Sequence, residues 1–426
     1  MTRVSTFLIA VALIAGMVGC APVQHNLTTS SNEGGEVTTP GEDNFTYNEG
    51  TVVDLVAEPE AGYRFVKWTG DVDTIANVNA AVTTITMDGD YSILANFGLE
   101  IWEIRNWYDL DAIRDDLSGP CVLMNNLDST TAGYTELASP TANQGTGWQP
   151  IGTSDNQFIG SFDGQGYEIR DLFINRPDED SVGLFGEVGQ EGVTIDISMV
   201  NLTVIGNDYV GGLVGHSDGT VSNSYSTGSV TGREHIGGLV GHNGGIVNNS
   251  YASGSVTGDS RVGGLVGWNQ ATLSNSYSKC SVTGNSSVGG LVGDNWYYEG
   301  IISNSYSTGS VTGGRWVGGL VGVNYYGSVS NSYSIGSITG ATDVGGLVGR
   351  NDKGTVSDSF WDTETSGQST SDGGTGKTTA QMKNIATFSG AGWNIIAVAN
   401  PGERNPAYIW NIVDDETYPF LSWQPV

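Results

Sequence analysis

Residues 209–231 read Tyr-Val-Gly-Gly-Leu-Val-Gly-His-Ser-Asp-Gly-Thr-Val-Ser-Asn-Ser-Tyr-Ser-Thr-Gly-Ser-Val-Thr, and the same stretch returns five more times, the last time only in part. The leucine of Gly-Gly-Leu-Val-Gly stands at 213, 239, 265, 291, 320 and 347, at intervals of 26, 26, 26, 29 and 27 residues. Gly183-Leu184-Phe185-Gly186 is a weaker copy ahead of them. A second marker, Asn-Ser-Tyr, puts tyrosine at 225, 251, 277, 306 and 333 and closes with Asp358-Ser359-Phe360. A third, Ser-Val-Thr-Gly, is centred on Val230, Val256, Val282, Val311 and Ile338. Periods of 20–50 residues mark solenoids and propellers, and a propeller blade needs roughly 40 residues and four strands. A shorter unit with three β-prone segments between glycine turns fits one coil of a β-helix. The expected fold is therefore all-β: a right-handed parallel β-helix of roughly eight coils over 150–361, its strands roughly 4.8 Å apart.

Strand parity gives an expectation for the side chains. Val221, Asn223 and Tyr225 share one face and Ser222, Ser224 and Ser226 the other. Val247, Leu273, Ile302, Val329 and Val356 repeat the apolar site of Val221, so valine, asparagine and tyrosine are expected inside and the serines outside. Tyrosine should then stack on tyrosine, and asparagine amides should bond from coil to coil. In Gly-Gly-Leu-Val-Gly, Leu213 and Val214 have opposite parity, and both are apolar; the pattern does not say which faces the core.

Composition narrows the function. Of 426 residues, 46 are Asp or Glu and 16 are Lys or Arg, a formal charge of −30. That excludes nucleic-acid binding driven by counterion release, and electrostatic attachment to an anionic membrane. Three cysteines rule out a disulfide scaffold, and the four histidines include no His-Glu-x-x-His. No cofactor or metal site is expected.

Val4 to Val18 is an apolar run behind the lone charge Arg3, too short for a comfortable membrane span and of the right size for a signal-peptide core. It runs into Met17-Val18-Gly19-Cys20, which resembles the bacterial lipobox, with Met where Leu is usual. The resemblance implies cleavage after residue 19, lipidation of Cys20 and attachment to a membrane by acyl chains. Residues 20–36 then read as a flexible tether.

Residues 37–98 show four short β-prone segments with turn punctuation. Gly62-Tyr63-Arg64-Phe65-Val66-Lys67-Trp68-Thr69-Gly70-Asp71, Ile85-Thr86-Met87-Asp88-Gly89-Asp90 and Ala95-Asn96-Phe97 resemble the divergent internalin B-repeat family, which implies a small antiparallel spacer or adhesive module. Over 99–149, Trp107, Leu110, Ile113 and Leu117 fall at helical spacing and Gly119-Pro120 stops the run. This helix is expected to cap the N-terminal end of the solenoid, whose end coils would otherwise expose apolar surface and open strand edges.

The repeat units resemble the GLUG motif of bacterial and archaeal surface proteins and of some secreted immunoglobulin-A peptidases. Phe360–Gly367, Lys377–Lys383 and Tyr408–Trp423 resemble the closing segment of such proteins, so 362–426 is expected to cap the far end with Trp393, Trp410, Tyr418, Phe420 and Trp423.

Few residues suggest chemistry. Gly373 to Thr379 mimics a phosphate-binding loop but has Ser371 where the motif needs glycine and no buried strand before it; a turn before a short helix is expected. His216 and His242 should be neighbours on adjacent coils, with no third ligand in view. Trp268, Trp296, Tyr297, Tyr298, Tyr325 and Tyr326 occupy turns of three successive coils, and exposed rings there would suit sugar faces. They are the candidate ligand-binding residues. No aligned carboxylate pair is visible, so the expected function is a lipid-anchored, outward-facing, non-catalytic surface protein, adhesin-like or a scaffold. Its partners would be a surface polysaccharide or another surface protein. A carbohydrate-active β-helix enzyme is the alternative.

Overall fold

A computed structural model describes residues 22–425. Cys20 and the apolar run before it lie outside the described residues. The chain divides at Glu100/Ile101 into two compact units.

The first unit corrects the expected tether. Gln24–Ser31 is a strand at the centre of a four-stranded sheet, antiparallel to Asn44–Asn48 and parallel to Tyr91–Leu99, which in turn pairs antiparallel with Tyr63–Gly70. Gly35–Thr39 opens a second, antiparallel sheet with Val52–Pro59 and Val82–Thr86. The polar composition of 20–36 hides a strand because only Leu27 and Thr29 on its inner face, with Val37 after it, need to be buried. Leu27, Leu55, Trp68, Ile85, Ile93 and Phe97 form the core, and Trp68 donates its indole N–H to the Ala80 carbonyl at 3.0 Å.

The second unit is a parallel β-solenoid of about seven turns. A coil has four short strands rather than three, as in Asp208–Gly211, Val214–Ser217, Thr220–Ser222 and Tyr225–Thr231, and from Tyr277 on the last of them is split in two, as in Tyr277–Ser278 and Ser281–Thr283. Each strand pairs in parallel with its equivalent one repeat later: Val210 with Ile236, Val214 with Val240, Val221 with Val247, Tyr225 with Tyr251. The extra corner is Gly212-Leu213. It settles the parity question, since Val210, Leu213 and Val214 are all fully buried in one core. Glycine is required where the chain doubles back: a Cβ on Gly211 would lie 2.1 Å from the Val214 carbonyl oxygen.

The solenoid begins earlier than residue 150. Trp102–Ile104 and Pro120–Leu123 are already rungs of the ten-stranded sheet: they pair in parallel with each other, and Pro120–Leu123 pairs in parallel with Ser161–Asp163. The helix Trp107–Ala112, capped by the Asn106 side chain and extended by one tight turn to Asp115, lays Trp107, Leu110 and Ile113 onto the solenoid core.

At the Asn-Ser-Tyr corner the parity reading fails. Asn223, Asn249, Asn275, Asn304, Asn331 and Asp358 have φ between 45° and 50°, a left-handed turn that asparagine tolerates. The turn reverses the alternation, so Ser224 points in and Tyr225 points out. Each inward serine repairs the backbone pairing lost at the corner. Ser224 N–H donates to Ser250 Oγ at 3.2 Å, Ser250 N–H to Ser276 Oγ at 3.1 Å, and so on to Ser359. The interior asparagines are others: Asn243, Asn269, Asn295 and Asn324 are fully buried, and each amide donates to the next at 2.7–2.8 Å, ending on Asn351.

The tyrosines do stack, on the outer face. Rings 225, 251, 277, 306 and 333 lie 4.6–5.0 Å apart and within 9° of parallel. The C-terminal segment explains why apolar rings can face outward. Its first part covers the last coil, as expected of a cap: Ser371 Oγ accepts from the N–H groups of Leu347 and Val348. The rest turns back along the side of the solenoid. Met382, Phe388, Trp393, Trp410 and Leu421 form a second core with Tyr277, Tyr306, Tyr333 and Phe360. Tyr333 OH donates to the Pro419 carbonyl and Trp423 Nε1 to the Asn275 carbonyl. The aromatic residues of the tail thus cover a flank more than an end. Thr375–Lys377 is a strand and Thr378 caps a short helix, so Gly373-Gly374 turn first into a strand and only then into the expected helix.

Candidate functional site

The repeats built on Leu291 and Leu320 lengthen the second strand to Val292–Trp296 and Val321–Tyr325. Just past these strands, and past Val348–Asp352 in the next coil, Tyr297, Tyr326 and Lys353 adopt left-handed turns, with φ of 70°, 60° and 60°. This places five rings at one corner. Trp296 stacks on Tyr325 at 4.2 Å, Tyr326 stands edge-on to Tyr325 at 4.6 Å, and Tyr298 leans on Tyr326 at 5.1 Å. Tyr297 and Tyr298 are 56% and 72% exposed, whereas the Trp296–Tyr325 stack beneath them is half-buried. Lys353 donates to the Tyr326 hydroxyl at 2.7 Å, a bond that raises the pKa of its ammonium.

Trp268 is not part of this corner. It pairs in register with His242 before it and Asp294 after it. The second strands therefore carry a column of Glu187, His216, His242, Trp268, Asp294, Val323 and Arg350. Beside it runs a column of left-handed corner residues: Ser181, Tyr209, His235, Arg261, Ser287, Trp316 and Asp343. The two interlock. His216 stacks on His242 at 4.4 Å, His242 on Trp268 at 4.6 Å and Tyr209 on His235 at 4.6 Å. His216 and His242 meet as expected, but as stacked rings.

The charges of this double column are internally matched. His216 Nδ1 lies 2.7 Å from Glu187, which also accepts from Ser181 Oγ at 2.5 Å. Burial pulls His216 down, but the bonds and charges of Glu187 and Asp218 together outweigh that and the net shift is upward; Glu187 is raised by burial and lowered more by His216 and Ser181 together. Burial pushes His235 down to about 3 and His242 to about 4, and lifts Asp294 to about 7. A cavity of about 330 Å³ between Thr153, Glu179, Asp180, Glu187 and Tyr209 lies at the head of the columns.

The geometry of these carboxylates does not suit glycosidic cleavage. Glu187 and Asp294 share a column but stand four rungs apart, roughly 19 Å at the strand spacing, against the roughly 5–9.5 Å needed. Glu234 and Asp294 both reach Arg261, at 3.0 and 3.5 Å, so a guanidinium lies between them. Among the described residues no group of three or more His, Cys, Asp or Glu side chains is placed to hold a metal.

Comparison with known proteins agrees with the two-part chain. The divergent InlB B-repeat domain matches residues 25–100, and the GLUG motif matches 206–231, 232–257, 284–312 and 313–339. The skipped unit, 258–283, has Cys280 where the others have Gly228, Gly254, Gly309 and Gly336. A candidate Gly-rich membrane protein of Evansella cellulosilytica is 43% identical over 74 residues, 17% of this chain and 9% of that protein. Halomucin of Haloquadratum walsbyi is 34% identical over 115 residues, 25% of this chain and 1% of that protein. The chain thus spans less than a tenth of either relative. Among solved structures, a candidate immunoglobulin A1 protease from Bacteroides ovatus aligns with 76% of this chain and 92% of its own, at 19% identity and a TM-score of 0.46. An IgA1 protease aligns with 80% of this chain and 27% of its own, at 14% identity and a TM-score of 0.37.

Proposed function

We propose that the chain is a surface-displayed repeat protein that binds without turnover, through Trp296, Tyr297, Tyr298, Tyr325 and Tyr326. The observation that carries this reading is the corner itself: two strongly exposed tyrosines on a stacked Trp–Tyr base, supplied by adjacent coils at fixed pitch. Rings offer broad apolar faces at little entropic cost, which suits a repeating sugar or an extended peptide. A charge of −30 disfavours polyanions, so the ligand is a neutral polymer. Each contact is weak, and many copies on one surface act together. The GLUG units and the membrane-protein relative support a cell-envelope location, and lipidation of Cys20 would provide the anchor. Replacement of Trp296, Tyr297 and Tyr298 by Ala should abolish retention on immobilised neutral polysaccharides. Cleavage of any of these polymers by the purified protein would instead establish the enzyme reading. Cys20→Ser should move the protein from the membrane fraction to the soluble one; a wild type without acyl chains would refute the anchor.

A further inference from the structure

We infer that the coils carrying Tyr225 and Tyr251 receive a tryptophan side chain presented by another polypeptide. The protein shows twice how it holds an indole. Trp393 Nε1 donates to the Asp358 carbonyl at 2.7 Å, with its ring 6.0 Å from Phe360 and tilted by 37°. Trp423 Nε1 donates to the Asn275 carbonyl at 3.0 Å, with its ring 5.8 Å from Tyr277 and tilted by 31°. The two receptors are the same piece of the repeat. Each has a left-handed corner residue, whose carbonyl is outside the strand pairing, and an aromatic ring two residues later.

Asn223 with Tyr225, and Asn249 with Tyr251, repeat that arrangement, with φ of 50° and 46°. Among the described residues nothing donates to the carbonyl of Asn223 or Asn249. Their rings stack at 4.6 Å and stay half-buried, while Tyr277, Tyr306 and Tyr333 are 3% exposed or less beneath the tail. A hollow of about 290 Å³ lies over them, lined by Asn223, Tyr225, Asn249, Tyr251, Trp423 and Pro425. It continues the surface that the tail already covers, where indoles take two of the four corner carbonyls, those of Asn275 and Asp358. An indole has one donor for one carbonyl and a flat apolar body for the ring beside it. The occupant is therefore a Trp-bearing segment of a partner chain. This surface is separate from the aromatic corner and does not depend on it.

The probe is a peptide of the sequence of Thr417–Pro425, titrated calorimetrically into the whole protein, together with an analogue carrying 1-methyltryptophan. The methyl group removes the indole N–H and needs no protein variant. The peptide should bind weakly, the analogue about five- to tenfold more weakly, in line with one lost hydrogen bond. Tyr225→Ala should remove binding, while Tyr108→Ala, at an exposed ring outside both surfaces, should leave it unchanged. Equal binding of the two peptides, no binding of either, or full binding to Tyr225→Ala would each overturn the proposal. Self-association that Tyr225→Ala abolishes, without peptide binding, would assign the surface to a second copy and overturn it as well.

Discussion

Two columns of the solenoid lie one residue apart on the same strands and could hardly differ more. Ser217, Asn243, Asn269, Asn295, Asn324 and Asn351 are nearly uniform, and five of them are completely buried. Their neighbours His216, His242, Trp268, Asp294, Val323 and Arg350 share no chemistry. The parallel register fixes both columns equally. The difference lies in what each side chain must satisfy. An inward amide needs an identical amide above and below it, because a buried amide without a partner is costly. A side chain on the outer columns can vary as long as its neighbours match it. The uniform columns hold the fold, and the varied ones are free to carry function.

The largest effect should follow from a charge in the uniform interior. Val256→Asp places an unpaired carboxylate where the side chain is 1% exposed, and should cost at least about 4 kcal/mol, with loss of the melting transition of the solenoid. Retention of the wild-type melting temperature would break the comparison. Asn295→Ala should cost less, about 2–3 kcal/mol, by leaving Asn324 Oδ1 without its donor at 2.7 Å. Chemical denaturation of this variant against Asn351→Ala, nearer the end of the ladder, measures the gradient.

The outer column should show itself through pH. His235 and His242 stay neutral in the fold down to about 3 and 4, well below the usual 6.5. The unfolded chain gains protons that the fold refuses, so their contribution is full above pH 6.5 and declines as the pH falls toward 4. His242→Gln should flatten the melting curve against pH in that window. Asp294 has the opposite sign. Its carboxyl is held protonated up to about 7, so its contribution is present at low pH and lost as the pH rises through 7. Asp294→Asn should therefore raise the melting temperature at pH 8 relative to wild type. Unchanged profiles in both variants would show that the column does not titrate as described.

These columns also mark what was legible in the sequence. The period, the parallel stacking and the tyrosine ladder follow from three markers in fixed order. The faces do not, because Asn223 leaves the β region at φ 50° and inverts every later residue of its strand, which a strict two-residue alternation does not register. Trp268 could have been placed correctly: it follows Gly267 directly, as Asp294 follows Gly293, whereas Trp296 stands two places further on. The lateral course of the tail was hidden for a physical reason. The aromatics of 393–423 signal only that a large apolar surface is covered, and an end and a flank both offer one. The tether failed because a central strand of a small sheet can be mostly polar.

The smallest stability change, and the sharpest functional one, belongs to the aromatic corner. Tyr298→Ala, at a side chain 72% exposed, should alter stability by less than about 0.5 kcal/mol. The direct measurement is retention of the purified protein on a panel of immobilised neutral polysaccharides, comparing wild type with the Trp296→Ala, Tyr297→Ala, Tyr298→Ala triple variant after both are shown to melt alike. The wild type should be retained without release of cleaved polymer, and the variant should lose retention. Equal retention by the two proteins, or cleavage by the wild type, would contradict it.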